Sequence, residues 1–311
     1  MKYPDNNSVT EIILSGFPNL QHYSPLLFTV LLVIYLFIIT GNTLICFVVK
    51  KEHSLHSPMY FFICTLSLTE LCYTGVTIPT MLANLLEEEK KISLKGCLLQ
   101  AYFLHSFGSA ECYLLTTMAY DRYLAICKPL HYSSIMTMGL FIKLAAACII
   151  SGFLSPVIGA FLISSLPFCG PNCIQTLFCD FLPLIALACT DTKLHVLVEF
   201  VVGSVIILLS CIFVLQSYSR IIHVILKIKS RKGRQKTFST CGAHLIVVVL
   251  FFGSISFTYI RLSESYSADY DRAVGVAYAI FTPLANPVIY GLRNQGIKNS
   301  LQKHLRFSLL F

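Results

Sequence analysis

The sequence predicts an all-α membrane protein, a seven-transmembrane helix bundle with an extracellular N-terminus and a short amphipathic cytoplasmic helix. Three observations carry this expectation. Of the 311 residues, 56% are apolar and only 12% charged, with a mean hydropathy of +0.73, whereas a soluble domain carries about 25% charged residues. Seven apolar stretches recur along the chain at lengths near the roughly 20 residues that a helix needs to cross the hydrocarbon core. The basic residues are distributed unevenly among the gaps between those stretches. With the spans set aside, no segment is long enough to bury a separate core. The chain is therefore expected to form one domain over 1–311, with 1–24 outside, 25–292 as the bundle and 293–311 as a cytoplasmic tail.

Taken in order, the spans are 26–49, 58–83, 97–120, 144–168, 200–217, 243–260 and 273–292. Five contain no charge. The second is interrupted by Glu70, and the third by His105 and Glu111.

Orientation follows from Lys and Arg. Of the 23, 16 lie in the gaps near 50–57, 121–143, 218–242 and 293–311, which the positive-inside rule places in the cytoplasm. An odd number of spans then leaves the N-terminus outside. The first 24 residues show no basic segment followed by an apolar core and a small-residue cleavage site, so the first span is expected to serve as the signal. Asn6-Asn7-Ser8 is an N-glycosylation acceptor triplet on that outer segment; such triplets also arise by chance. The net charge of +8 accompanies no basic stripe interleaved with stacking aromatics, so it reads as a topology signal rather than a nucleic-acid footprint.

Five of the 13 cysteines, Cys97, Cys169, Cys173, Cys179 and Cys189, fall at or beyond the outer ends of spans, where disulfides are permitted. Their spacing does not fix the connectivity, and one thiol is left over. The others read as small buried hydrophobes, and no Cys-x-x-Cys pair with matching His indicates zinc.

Ionisable groups inside spans are costly and mark function or a hydrogen-bonded knot between helices. Glu70 and Glu111 lie near the middle of adjacent spans, where they could approach one another or share a cation or proton. Pro79, Pro156, Pro283 and Pro287 each remove a helical hydrogen bond. Asn286 stands between the last two, with an amide able to satisfy a freed carbonyl, and Tyr290 follows one turn later. Asp121-Arg122-Tyr123 closes the third span with adjacent opposite charges at the water boundary. Ile297, Leu301 and Leu305 recur at helical spacing among Arg293, Lys298, Lys303 and Arg306, as in a helix lying on an anionic membrane surface.

With these motifs assembled, the whole chain resembles a rhodopsin-like (class A) G-protein-coupled receptor, and within that class an odorant receptor. The general marks are Gly41-Asn42, Asp121-Arg122-Tyr123, and Asn286-Pro287 with Tyr290. More specific are LHSPMYFF at 55–62, MAYDRYLAICKPLHY at 118–132, Ser217-Tyr218, KTFSTCGAH at 236–244 and PLANPVIYGLRN at 283–294. Thr237, Gly242 and Ala243 depart from the usual pattern. Phe252 replaces a tyrosine whose hydroxyl could carry a polar switch, and Glu70 stands where Asp is common.

The resemblance implies disulfides Cys97–Cys179 and Cys169–Cys189, tying down the second extracellular loop and leaving Cys173 free. It implies a small volatile odorant, held mostly by apolar burial, at His105, Gly108, Ser109 and Cys112 of the third span. The same set continues at Val202, Gly203 and Ile206 of the fifth, Ile255, Ser256 and Tyr259 of the sixth, and Ala279 of the seventh. For each residue ordinary interhelical packing is the competing role, and His105 with Cys112 is also a thin metal-ligand pair.

Asp121, Arg122, Tyr123, Tyr218, Asn286, Pro287 and Tyr290 are implied to form the switch that admits a stimulatory olfactory-type G protein and raises cyclic AMP. Asn42, Glu70, Glu111 and Asn286 are the expected polar core. Lys227, Lys229, Arg231, Lys232, Arg234 and Lys236 would border the G-protein site or contact lipid headgroups. No cofactor, resident metal or enzymatic activity is expected. The implied location is the plasma membrane, in sensory cilia. A transporter or channel would also use buried carboxylates, but duplicated halves are absent. A membrane enzyme lacks a nucleophile-base arrangement, and a metabolite receptor outside the nose is a third alternative.

Overall fold

The computed structural model describes residues 9–16, 18–87, 90–169, 172–259 and 268–308. Its helices are α1 (Ser24–Lys51), α2 (Pro58–Leu86), α3 (Leu94–Cys127), α4 (Tyr132–Ile135), α5 (Met138–Leu154), α6 (Val157–Ser164), α7 (Phe181–Ile185), α8 (Lys193–Lys227), α9 (Arg231–Tyr259), α10 (Ala268–Arg293) and α11 (Gln295–Ser308). Asn6 lies outside the described residues.

Local chemistry sets the helix ends. Proline occupies the first turn of α1 and α2, where its missing N–H costs nothing. Ser93 caps α3 by accepting a hydrogen bond from Gly96 N, and Thr137 caps α5 through Leu140 N. Asn294 Oδ1 accepts from Gly296 N at 3.0 Å and so starts α11 immediately after α10.

The expected fourth span is two helices, because Pro156 breaks the ladder between α5 and α6. Tyr102 Oη donates to the Phe153 carbonyl at 2.9 Å just before this break. The helix of the fifth span extends beyond both ends of 200–217, running from Lys193 to Lys227.

Among the described residues, four long apolar segments are sufficient by themselves to cross a bilayer: Gln21–Lys51, Pro58–Leu86, Met138–Ser164 and Lys193–Lys227. In α3, Gln100, His105, Ser106, Ser109 and Glu111 dilute the apolar character. The charge-free run expected at 243–260 contributes a shorter apolar helix, Cys241–Ile255, among the described residues. The bundle closes as a ring, with α1 on α2, α2 on α3, α3 on α5 and α8, α8 on α9, α9 on α10, and α10 back on α1. Large apolar side chains of α8, including Phe200, Leu208 and Leu215, face outward as lipid-exposed surface. Gly152 lets α5 approach α3 closely, since a Cβ there would stand 2.6 Å from Ala110 Cβ.

Among the described residues, a small sheet accompanies the helices. β1 (Glu11–Leu14) pairs antiparallel with β2 (Lys90–Ser93) and parallel with β3 (Cys173–Ile174), giving the order β2-β1-β3. Ile12 and Leu14 of β1 are fully buried in a cluster with Cys97 and Phe181, so the N-terminal segment packs over the outer mouth of the bundle. Strands of four and two residues are too short for an alternating pattern to be legible in sequence.

Candidate functional site

At the outer end, a cavity of about 50 Å³ lies between α3, the α5–α6 break, the loop before α7, and α8. His105, Ser109, Val202, Gly203 and Ile206 line it, together with Ser155, Pro156, Gly159, Asp180, Leu182 and Glu199, which sequence reasoning had not selected. His105 and Ser109 reach it from one face of α3 because they are four residues apart. Gly108, Cys112, Ile255 and Ala279 do not line it. Cys112 and Ile255 pack in the central core, and Ala279 packs in a separate cluster with Leu31, Tyr73 and Met81. The side chains of Ser256 and Tyr259 lie outside the described residues.

The second extracellular loop brings polar chemistry to this cavity. Cys97 is bonded to Cys179 and Cys169 to Cys189, while Cys173 on β3 is free. The first bridge holds Asp180 over α3, where His105 Nε2 meets its Oδ1 at 2.7 Å. The same carboxylate oxygen accepts from Phe181 N at 2.7 Å and so starts α7. The Phe181 ring stacks on the His105 imidazole with centroids 4.6 Å apart. Burial would raise the Asp180 carboxyl, but the hydrogen bond and charge of His105 outweigh it and hold the group below its ordinary value. Among the described residues no group of three or more His, Cys, Asp or Glu is placed to hold a metal, and His105 pairs with Asp180 rather than Cys112.

At mid-membrane, Glu70 and Glu111 are both buried on the neighbouring helices α2 and α3. Asn286 Nδ2 donates to Glu70 Oε1. Asn286 was expected to satisfy a carbonyl freed by proline; Asn42 takes that role, its Nδ2 donating to Pro283 O at 3.3 Å, the carbonyl that Pro287 cannot serve. Glu70 Oε1 is the acceptor that captures the Asn286 amide. Among the described residues, Glu70 Oε2, Glu111 Oε1, Asn42 Oδ1, Asn286 Oδ1 and Tyr290 Oη are buried without a hydrogen-bond partner. Such a set needs water, a proton or a cation to be satisfied.

At the cytoplasmic end, Arg122 Nε and Nη2 both donate to Asp121 Oδ2, and Tyr132 Oη donates to Asp121 Oδ1 at 2.8 Å. Burial, with the Asp121 carboxylate beside it, pushes the Tyr132 phenol up, so it remains a donor. Tyr123 is half-buried and stacks with Tyr120. Tyr218 Oη lies 2.7 Å from His244 Nδ1, joining α8 to α9. His244 ends the 236–244 motif, yet its role depends on a helix contact that spacing does not reveal. Phe252 is buried edge-on to Phe251. The Lys236 side chain lies outside the described residues.

An outer cavity under a tethered loop, a polar seam at mid-membrane and an ion-paired inner end together define a helical membrane receptor. Comparison with known sequences matches residues 31–307 to the olfactory receptor family. Human olfactory receptor 6N1 is 53% identical over 300 residues, covering 96% of each chain. Human olfactory receptor 6K3 is 48% identical across 97% of this chain and 91% of its own length, and human olfactory receptor 6K2 is 47% identical across 100% and 96%. The chain belongs to the olfactory receptor family: it is a multi-pass odorant receptor that couples to G proteins, and not an enzyme.

Proposed function

We propose that the chain binds a small, largely apolar volatile odorant in the outer half of the bundle and thereby activates a stimulatory olfactory-type G protein, raising cyclic AMP. The observation that carries this reading is the placement of a polar pair at three levels of the bundle: His105–Asp180 at the outer cavity, Glu70–Asn286 between α2 and α10, and Asp121–Arg122 at the inner end. The ligand shifts the equilibrium only if it binds the active arrangement more tightly than the resting one. In that arrangement the cytoplasmic end of α9 moves outward, Tyr218 leaves His244, and Arg122 leaves Asp121. Arg122, Tyr218 and Tyr290 then line the groove for the G-protein α subunit, with Lys227, Lys229, Arg231, Lys232 and Arg234 alongside. Pro283 and Pro287 give α10 its hinge.

The remaining assignments belong to the same reading. The N-terminal segment is outside and carries glycan on Asn6, and α11 rests on the inner leaflet against anionic lipid. The receptor works at the plasma membrane, in sensory cilia.

The test is cyclic AMP in cells displaying the receptor, challenged with a chemically broad odorant panel, with and without the olfactory stimulatory α subunit. Responses that require this subunit and vanish in Arg122→Ala at equal surface level are expected. Ligand-gated current persisting without any G protein would sink the reading.

A further inference from the structure

Glu199 is the cavity-lining group that the switch mechanism leaves unused. It sits in the outer half of α8, within a helix apolar enough to cross the bilayer, and it lines the same small cavity as His105 and Ser109. Gly159 opposite is what admits it, since a Cβ at that position would collide with Glu199 Oε1. The carboxylate is thus seated between α6 and α8, facing the cavity.

Its electrostatic position differs from that of Asp180. Asp180 has His105 and Phe181 N as partners. Among the described residues, no hydrogen bond or ion pair reaches Glu199. On its own helix, Lys193 is exposed and turned toward Asp191 at 3.8 Å, and His195, one turn before Glu199, keeps a buried Nδ1 that reaches no partner among the described residues. Even with His105 protonated and matched to Asp180, the cavity holds one unbalanced negative charge. A carboxylate at this depth is costly without a counter-charge. Apart from the hydroxyls of Ser109 and Ser155, the other side chains of the wall are apolar: Pro156, Leu182, Val202 and Ile206.

We propose that the odorant is a small aliphatic amine whose ammonium pairs with Glu199 while its alkyl part lies against Pro156, Val202 and Ile206. This rests on the reading of the chain as an odorant receptor and names the ligand class of that same cavity. Alkylamines have pKa values comparable to that of the lysine side chain, about 10.4, and are charged at neutral pH. The volume of about 50 Å³ accommodates a head group of that size and falls well short of the roughly 300–1,000 Å³ of pockets that enclose a drug-sized ligand. A carboxylic acid would meet like charge, and an alcohol would leave the Glu199 charge unmatched.

The experiment uses the full-length receptor in cells, with surface level measured by antibody. Straight-chain amines from butyl to hexyl are compared with the alcohols, aldehydes and carboxylic acids of the same lengths. Amines are expected to act at half-maximal concentrations about tenfold or more below those of the alcohols. Glu199→Gln should abolish that preference and Glu199→Asp should retain part of it. Gly159→Ala, which displaces the carboxylate without removing its charge, should weaken amines selectively. Silence toward amines, or equal amine potency in Glu199→Gln at matched surface level, overturns the proposal. If neutral compounds act through the G protein in that case, the receptor reading stands and only the ligand class fails. Amine-driven current that needs no G protein would instead overturn the receptor reading.

Discussion

Gly152 and Asn42 illustrate the two demands that a membrane interior places on single residues, close packing and full use of polar atoms. Gly152→Val forces α5 away from the Ala110 backbone, with Cβ contacts already at 2.6–2.8 Å. A loss of about 1–3 kcal/mol is expected from overpacking, seen as a lower melting temperature of the solubilised receptor. Asn42→Ala strands the Pro283 carbonyl in an apolar setting, where an unsatisfied acceptor costs about 1–3 kcal/mol. Asn42→Ser should recover little of that loss, because its hydroxyl is too short to span the gap; equal melting temperatures for Asn42→Ala and the parent would refute the role. At this scale the sequence was legible wherever chemistry and helical spacing coincide. Glu70, Glu111, Asp121–Arg122, and the pair His105 and Ser109 are such cases. Asp180 and Glu199 were not, because a loop and a helix distant in sequence carry them to the cavity. The destination of the Asn286 amide was likewise hidden, since it depends on competition between a carboxyl group and a carbonyl on different helices.

Among elements, α11 is held by a definite contact. Ile297 is fully buried, and Lys303 Nζ and His304 Nε2 reach Glu52 Oε1 at 2.8 and 3.1 Å. The side chains of Leu305 and Arg306 lie outside the described residues. The Lys303 hydrogen bond, with charge from Lys303 and His304, holds the Glu52 carboxyl below its ordinary range. A depressed carboxylate contributes fully at neutral pH, and the contribution is lost as pH falls through the depressed value. Glu52→Gln should therefore increase hydrogen exchange in α11 at pH 7, and high salt should reproduce much of that effect in the parent. Unchanged exchange in both would show that Ile297 and Leu301 alone dock the helix. Helix existence was readable from apolar length, whereas helix ends were not: α8 runs past both ends of 200–217, and whether Pro156 kinks one helix or divides it into α5 and α6 depends on the turn at Ser155–Pro156. The three short strands left no periodic signal.

For the whole molecule, the family was legible because the long motifs are properties of the linear chain. The outer cap was not, because it joins β1, β2 and β3 from three separate regions. The Cys97–Cys179 bridge closes 82 residues of sequence, and a link of this kind stabilises by about 2–4 kcal/mol. Cys97→Ser is expected to reduce surface delivery strongly and to free Asp180 from His105, so that any receptor reaching the surface responds weakly to amines. Normal delivery and potency would contradict that structural role.

The central claim is that the outer cavity and the Arg122 lock are two ends of one bistable bundle. The most direct measurement is the distance between spectroscopic probes at Leu130, which is exposed beyond α3, and Arg234 on α9, in purified receptor with and without an activating ligand. The account predicts that ligand lengthens this distance and that G protein strengthens ligand binding by the reciprocal factor. A distance that stays fixed under a ligand that raises cyclic AMP would contradict it.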